Sequence, residues 1–313
     1  MKLNKPNFWG KKNSYVSFLL IPFTLLFSLI VFFKQKFSMP KKFSIPIICV
    51  GNIYIGGTGK TPTSILLAKE FSKLGKKTAI LRKYYKNHSD EYNLIKNSFK
   101  NLILSENRTD GLATAEASKF DLVILDDGLQ DYNIKKNLNI VCFNQNQLIG
   151  NGLVLPAGPL RENLSSLKNV QIVLINGKKS ESFEKKILKV NRKLEIFYSY
   201  YKPLNLHQFK NKKLLAVAGI GNPSNFFKLL KENNLEIEKK LIFPDHYKFS
   251  KAEIENIINE AKSNNFQIVM TEKDYFKMNN YKFENINYLK VSLEINEKKK
   301  FLNRINSLYD KNN

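Results

Sequence analysis

Six consecutive residues, Gly56-Gly57-Thr58-Gly59-Lys60-Thr61, have the types needed to grip a chain of phosphates. Glycines let the backbone fold closely enough for its N–H groups to converge on phosphate oxygens. A lysine at this place neutralises the β- and γ-phosphates, and a hydroxyl such as that of Thr61 binds Mg²⁺. The context is also right: an apolar run over 47–50 leads into the glycines, and a helical pattern starts near Lys60. The positive end of that helix's dipole adds to the attraction for an anion. The usual spacing asks for glycine five residues before Gly59, and this chain has Tyr54 there, so its glycines are displaced inward.

A second set of candidates follows another apolar run. Residues 122–125 (Leu-Val-Ile-Leu) end in Asp126-Asp127-Gly128. Ligands in open α/β sheets gather at the carboxyl ends of strands, and carboxylates there, next to a phosphate loop, suit Mg²⁺ held directly or through water.

The elements that must position these groups alternate along the chain. Short apolar runs at 45–50, 78–81, 122–125, 139–143, 171–175, 214–218, 267–271 and 288–291 read as strands. Helical patterns occupy 60–74, 223–231 and 251–262. Continuous apolar strands fit sheets covered on both faces, so the expected class is α/β with largely parallel sheets. The alternation restarts after about residue 200, which predicts two α/β units. The lysine-rich stretch 178–213 reads as a linker, and the Asn- and Lys-rich ends read as solvated tails. The expected organisation is a membrane-associating helix in 1–36, a phosphate-loop domain in 37–180 and a smaller α/β domain in 181–313.

Residues 13–33 carry no charge and are dominated by Phe, Leu and Ile. As one helix they would extend about 31 Å, close to the thickness of a hydrocarbon core. Lysines flank the run on both sides, and no small-residue cleavage site follows it, so the segment is expected to be retained. Ser14, Ser17, Thr24 and Ser28 share one helical face, which allows either a spanning helix or one lying partly buried with that stripe toward headgroups or protein.

The net charge of +24 admits a nucleic acid, an anionic membrane or a phosphorylated substrate as partner, or merely a lysine-rich composition. No aromatic RNA-binding signature, zinc-finger spacing or basic recognition helix is present, so no nucleic acid is expected. Cys49 and Cys142 lie in apolar runs and read as buried free thiols. From the residues alone, a membrane-tethered NTPase with a non-metabolic role stands beside a kinase.

An ordered series of motifs resembles the tetraacyldisaccharide 4′-kinase family of lipid A biosynthesis. It comprises Gly51-Asn52 with Gly56–Pro62, Asp126–Gln130, Gly150–Gly152, Leu155–Glu162, Ala218–Pro223, Phe243–His246 and Met270–Asp274. The resemblance implies two P-loop/Rossmann-like α/β/α domains facing each other across an active-site cleft, behind an N-terminal hydrophobic helix. It implies ATP and Mg²⁺ as cofactors, and transfer of phosphate to the 4′-hydroxyl of an acylated disaccharide 1-phosphate. It also places the enzyme at the cytoplasmic face of the bacterial inner membrane, with no obligate protein partner.

Carried over by position, Asn52, Gly56, Gly57, Thr58, Gly59, Lys60 and Thr61 bind ATP. Thr61, Asp126, Asp127 and Glu162 surround the metal. Asp90, in Ser89-Asp90-Glu91, is the base for the sugar hydroxyl, with His246 as its partner and Lys60 as the third catalytic residue. Arg82 and Arg161 are basic residues of the same cleft. This chain departs from the family at Leu81-Arg-Lys-Tyr-Tyr85, Ser89, Asp131 and Tyr247, none of them in the ATP loop. Lys273 reads equally as a cleft residue or a solvated lysine.

Overall fold

Every residue of Ile47–Gly51 (β1) and of Leu122–Asp126 is buried, as strands covered on both faces must be. A computed structural model describes residues 6–86, 88–245, 247–278 and 285–311. Ahead of β1 come α1 (Tyr15–Leu19) and α2 (Ile21–Lys36). After it follow α3 (Lys60–Lys73), β2 (Thr78–Lys83), α4 (Ser89–Ser98), β3 (Leu102–Ser105), α5 (Arg108–Ala117), β4 (Leu122–Asp126) and β5 (Leu138–Asn144). Then come β6 (Ile172–Asn176), α6 (Glu181–Val190), β7 (Glu195–Pro203), β8 (Leu214–Ala218), α7 (Pro223–Glu232), β9 (Ile237–Ile242) and α8 (Lys251–Ser263). The chain finishes with β10 (Gln267–Thr271), α9 (Glu272–Lys277), β11 (Ile286–Leu289), β12 (Val291–Ile295) and α10 (Lys298–Lys311).

The chain divides into two compact units that are not contiguous in sequence. The larger contains Lys5–Tyr84, Phe99–Tyr200 and the chain from Glu294 on. The smaller contains Tyr85–Ser98 and Tyr201–Leu293.

The larger unit is built on an eight-stranded sheet of order β12-β7-β6-β5-β1-β4-β2-β3, parallel from β7 to β3. Helix α3 packs on β1, β2 and β4, and α5 packs on β2 and β3. The smaller unit has a parallel four-stranded sheet of order β11-β10-β8-β9. One of its apolar clusters is formed with Ile254, Ile257 and Ile258 of α8, and another with Phe226, Phe227 and Leu230 of α7.

Several expectations are corrected. The stretch 178–213 is not a linker: it carries α6, which buries Phe183 and Ile187, and β7, which pairs with β6. Lys185, Lys186 and Lys189 lie on the solvated face of that amphipathic helix. The C-terminal tail is likewise a helix, anchored by the fully buried Phe301 and Ile305, one turn apart. The single strand expected at 288–291 is the joint between β11 and β12, which belong to different sheets.

The apolar run near the N-terminus is not one long helix. Pro22 lies in the first turn of α2, where its missing N–H costs nothing, and α1 stops at Leu19. Among the described residues no helix is long and apolar enough to cross a membrane. Part of the hydroxyl stripe faces protein. The buried Thr24 donates to Val154 O (3.2 Å) and accepts from Ala157 N (3.1 Å), while Ser17 accepts from Asn151 Nδ2 at 3.2 Å. The other faces of these helices expose Phe18, Leu19, Phe23, Leu26, Ile30 and Phe33.

Both cysteines are buried and free, as expected. Burial pushes the Cys49 thiol up to about 11 and that of Cys142 up to about 12, so neither is poised as a nucleophile.

Candidate active site

Register places the phosphate loop beside the acidic pair. Val50 on β1 pairs with Asp126 on β4, and Arg82 on β2 pairs with the same aspartate from the other side. The loop between β1 and α3 turns at Gly56 (φ 104°) and Gly59 (φ 92°), values that a side chain would oppose. Tyr54 explains the displaced glycines. It is buried and bridged to Leu160, while Ile55 N donates to Pro159 O (2.9 Å) and Arg161 N to Ile53 O (2.7 Å). This part of the loop is therefore held as an extended strip, and the tight turns begin two residues later. Asn52 is fully buried and braces the loop from within. Its Nδ2 lies within donating distance of Tyr54 O (2.6 Å), Thr58 Oγ1 (3.0 Å) and Gly56 O (3.2 Å).

Lys60 and Thr61 open α3. The Lys60 ammonium stands 3.7 Å from Asp127 Oδ1, and Arg161 Nη1 donates to the same oxygen at 2.9 Å. Burial pushes the Lys60 pKa down, and the Asp127 charge opposes it. Burial alone would raise Asp127, but Lys60, Arg161 and Arg82 outweigh it and hold its carboxyl well below the usual carboxylate range. Asp127 also occupies left-handed backbone space (φ 54°), which costs a non-glycine residue energy. Two bonds secure it there: its N–H donates to Val50 O (2.9 Å), and its carbonyl accepts from Arg108 Nη2 (2.6 Å).

Asp126 is enclosed. It accepts from Thr61 Oγ1 (3.2 Å), from Ser64 Oγ (2.8 Å) and from Arg82, with which it forms a buried ion pair. Taking this carboxylate away from a buried guanidinium is costly, so Asp126→Ala is expected to lower unfolding stability by about 3 kcal/mol. Chemical denaturation would read this, and an unchanged midpoint would contradict the pairing.

Glu162 is buried. Its Oε2 accepts from Gln35 Nε2 of α2 at 3.3 Å, and its Oε1 has no hydrogen-bond partner among the described residues. Beside it lies a cavity of about 800 Å³ lined by Val31, Phe32 and Gln35 of α2 together with Tyr132, Arg161 and Glu162. Among the described residues no three His, Cys, Asp or Glu side chains converge to hold a metal, so Glu162 is not gathered with Asp126 and Asp127 into one ligand cluster.

Asp90 is in the smaller unit, in the first turn of α4, and is 3% exposed. Lys273 Nζ lies 3.4 Å from its Oδ2. His246 lies outside the described residues. Residues missed by sequence reading are Arg108 and Ser64, while Lys273, read equally as a cleft residue or a solvated lysine, is largely enclosed and paired with Asp90. Ser64 was legible in principle, being one turn beyond Lys60 on the same helix face. Nothing in the sequence around Arg108 distinguishes it from a surface arginine.

Residues 16–310 match the family described as Tetraacyldisaccharide-1-P 4'-kinase. The chain is 42% identical over 320 residues to the tetraacyldisaccharide 4'-kinase of Pelagibacter ubique (strain HTCC1062), covering 100% of both chains. It is 31% identical over 332 residues to that of Haemophilus influenzae (strain 86-028NP), covering 97% of this chain and 96% of the relative. Its fold matches a crystal structure of LpxK from Aquifex aeolicus in complex with ATP, with TM-score 0.70 and 24% identity over 94% of this chain and 99% of that one. On the full-length match, the chain belongs to the tetraacyldisaccharide-1-P 4'-kinase family.

Proposed function

We propose that this kinase transfers the γ-phosphoryl group of ATP to the 4′-hydroxyl of a tetraacylated disaccharide 1-phosphate, a step of lipid A biosynthesis. One observation carries the reading. In a chain matching the family from end to end, Lys60 and Thr61 open a helix directly against the carboxylates of Asp126 and Asp127. Phosphoryl transfer depends chiefly on positioning and charge neutralisation, and this arrangement offers both.

The amides of the Gly56–Gly59 turn and the Lys60 ammonium hold the triphosphate, and Arg82 and Arg161 add positive charge beside it. The donors near Thr61 are hard oxygens, the kind Mg²⁺ takes, and that ion needs only one or two carboxylates because it keeps its waters. Thr61 and Asp126 would hold it, with Asp127 adjacent. Bound there, Mg²⁺ would neutralise charge on the β- and γ-phosphates. Asp90 accepts the proton of the attacking hydroxyl, and His246 orients that carboxylate.

The exposed apolar faces of α1 and α2, flanked by lysines, support a helix pair lying in the cytoplasmic surface of the inner membrane, where its substrate resides. Each nearby lysine adds about 1 kcal/mol of attraction to an anionic surface. The cavity beside Glu162, lined in part by Val31 and Phe32 of α2, suits part of an acylated substrate.

The decisive assay is ATP consumption by the purified chain with and without the disaccharide lipid. Turnover that requires the lipid supports the kinase; equal turnover without it would favour a membrane-tethered NTPase. Deleting residues 1–36 is expected to shift the protein from the membrane to the soluble fraction, and undiminished membrane recovery would exclude the helix pair as anchor.

A further inference from the structure

Lys273 is the second residue of α9, and its ammonium is surrounded by carboxylates. It stands 3.1 Å from Asp245 Oδ1, 3.3 Å from Glu91 Oε1 and 3.4 Å from Asp90 Oδ2. Its side chain is 16% exposed, which is not the state of a solvated loop lysine. The helix carrying it is pinned from below. Asp274 is fully buried and accepts from Thr271 Oγ1 (2.6 Å), Gly219 N (2.8 Å) and Lys277 Nζ (2.6 Å). Lys277 also donates to Gly219 O (2.8 Å). The base of Lys273 is thereby locked to the end of β8, while α9 packs against α4, the helix that carries Asp90 and Glu91. His88 Nδ1, just ahead of α4, faces Glu91 Oε2 at 3.4 Å.

We propose that Lys273 is a positioning residue for phosphoryl transfer: it keeps Asp90 ionised and correctly oriented, and touches neither ATP nor the acceptor sugar. The proposal rests on the reading of Asp90 as the base. Two other carboxylates, Glu91 and Asp245, share the ammonium with Asp90, and like charges this close drive one another toward protonation. A protonated Asp90 cannot accept a proton, and a carboxylate pushed away by its neighbours no longer points at the hydroxyl. The shared ammonium counters both effects. Asp90 is nearly enclosed, so it depends on such a partner more than a solvated carboxylate would.

The test is a double-mutant cycle on the full chain with ATP, Mg²⁺ and the disaccharide lipid in detergent micelles. Lys273→Gln is expected to lower kcat by about 10²-fold, the scale of a misplaced reacting group. The KM for ATP should stay within about twofold, and the acid limb of the kcat profile should move to higher pH, because the carboxylate has lost the charge that favours its ionised form. In an Asp90→Asn background the same change should cost almost nothing further. Should the glutamine variant fail to fold by circular dichroism, Lys273→Arg, which keeps the charge at a different reach, is read in the same cycle. Equal losses in both backgrounds, or a raised KM for ATP with kcat intact, would overturn the proposal. If Asp90→Asn is crippled while Lys273→Gln matches the wild type, the base stands and only the role of Lys273 falls. If Asp90→Asn turns over normally, the base assignment falls first.

Discussion

Lys60→Ala is expected to reduce phosphoryl transfer by about 10³-fold or more while the protein stays folded. The size of the loss follows from where the charge sits. Removing one preorganised electrostatic contact to a developing charge typically costs about 10²- to 10³-fold, and a full ammonium in a largely enclosed site lies at or beyond the upper end. The fold survives because Asp127 does not depend on Lys60 alone. The Lys60 pair is long, at 3.7 Å, whereas Arg161 holds the same carboxylate oxygen at 2.9 Å and Arg108 holds its carbonyl. Turnover measured beside thermal melting checks both halves, with the melting temperature expected within about 4 °C of the parent. Near-normal turnover would remove the loop from the mechanism.

Asp90→Asn is expected to slow turnover by about 10²- to 10⁴-fold with ATP affinity unchanged, the range for losing a positioned general base. The asparagine preserves shape and removes the charge, so the loss reports on proton transfer rather than packing. Because Asp90 is in the smaller unit and the phosphate loop in the larger, nucleotide binding gives an independent readout. If the variant raised only the ATP requirement, the base would lie elsewhere. Lys60→Ala and Asp90→Asn thus probe opposite sides of the reaction, and only the second should leave nucleotide binding intact.

Local residue chemistry accounts for what was legible in the sequence. A phosphate loop is a short-range object: glycines at turning points, then Lys60 and Thr61 where the helix begins. The apolar runs of β1, β4, β5, β6, β8 and β10 were legible for the same reason, since a strand covered on both faces has no solvent side to advertise in polar residues. The strands that escaped notice are the less buried ones. β3 is half-buried at the sheet edge, and β9 (Ile-Glu-Lys-Lys-Leu-Ile) is an edge strand whose charges face solvent.

Residue order alone, then, identifies a loop of the type that grips phosphate, the aspartates that end the neighbouring strand, and largely parallel sheets. Those features depend on residues adjacent in the chain or on the periodicity of a single element. Tertiary structure alone decided that Tyr85–Ser98 leaves the larger unit to place Asp90 beside Lys273, 183 positions later. It alone decided that Arg108 secures the strained Asp127, that Thr24 of α2 clasps the loop leading to Glu162, and that one apolar stretch near residue 290 serves two sheets. Each of these is a pairing of charges or hydrogen-bonding groups distant in sequence, and no spacing rule encodes it, because the chain folding back on itself is what brings the partners within reach.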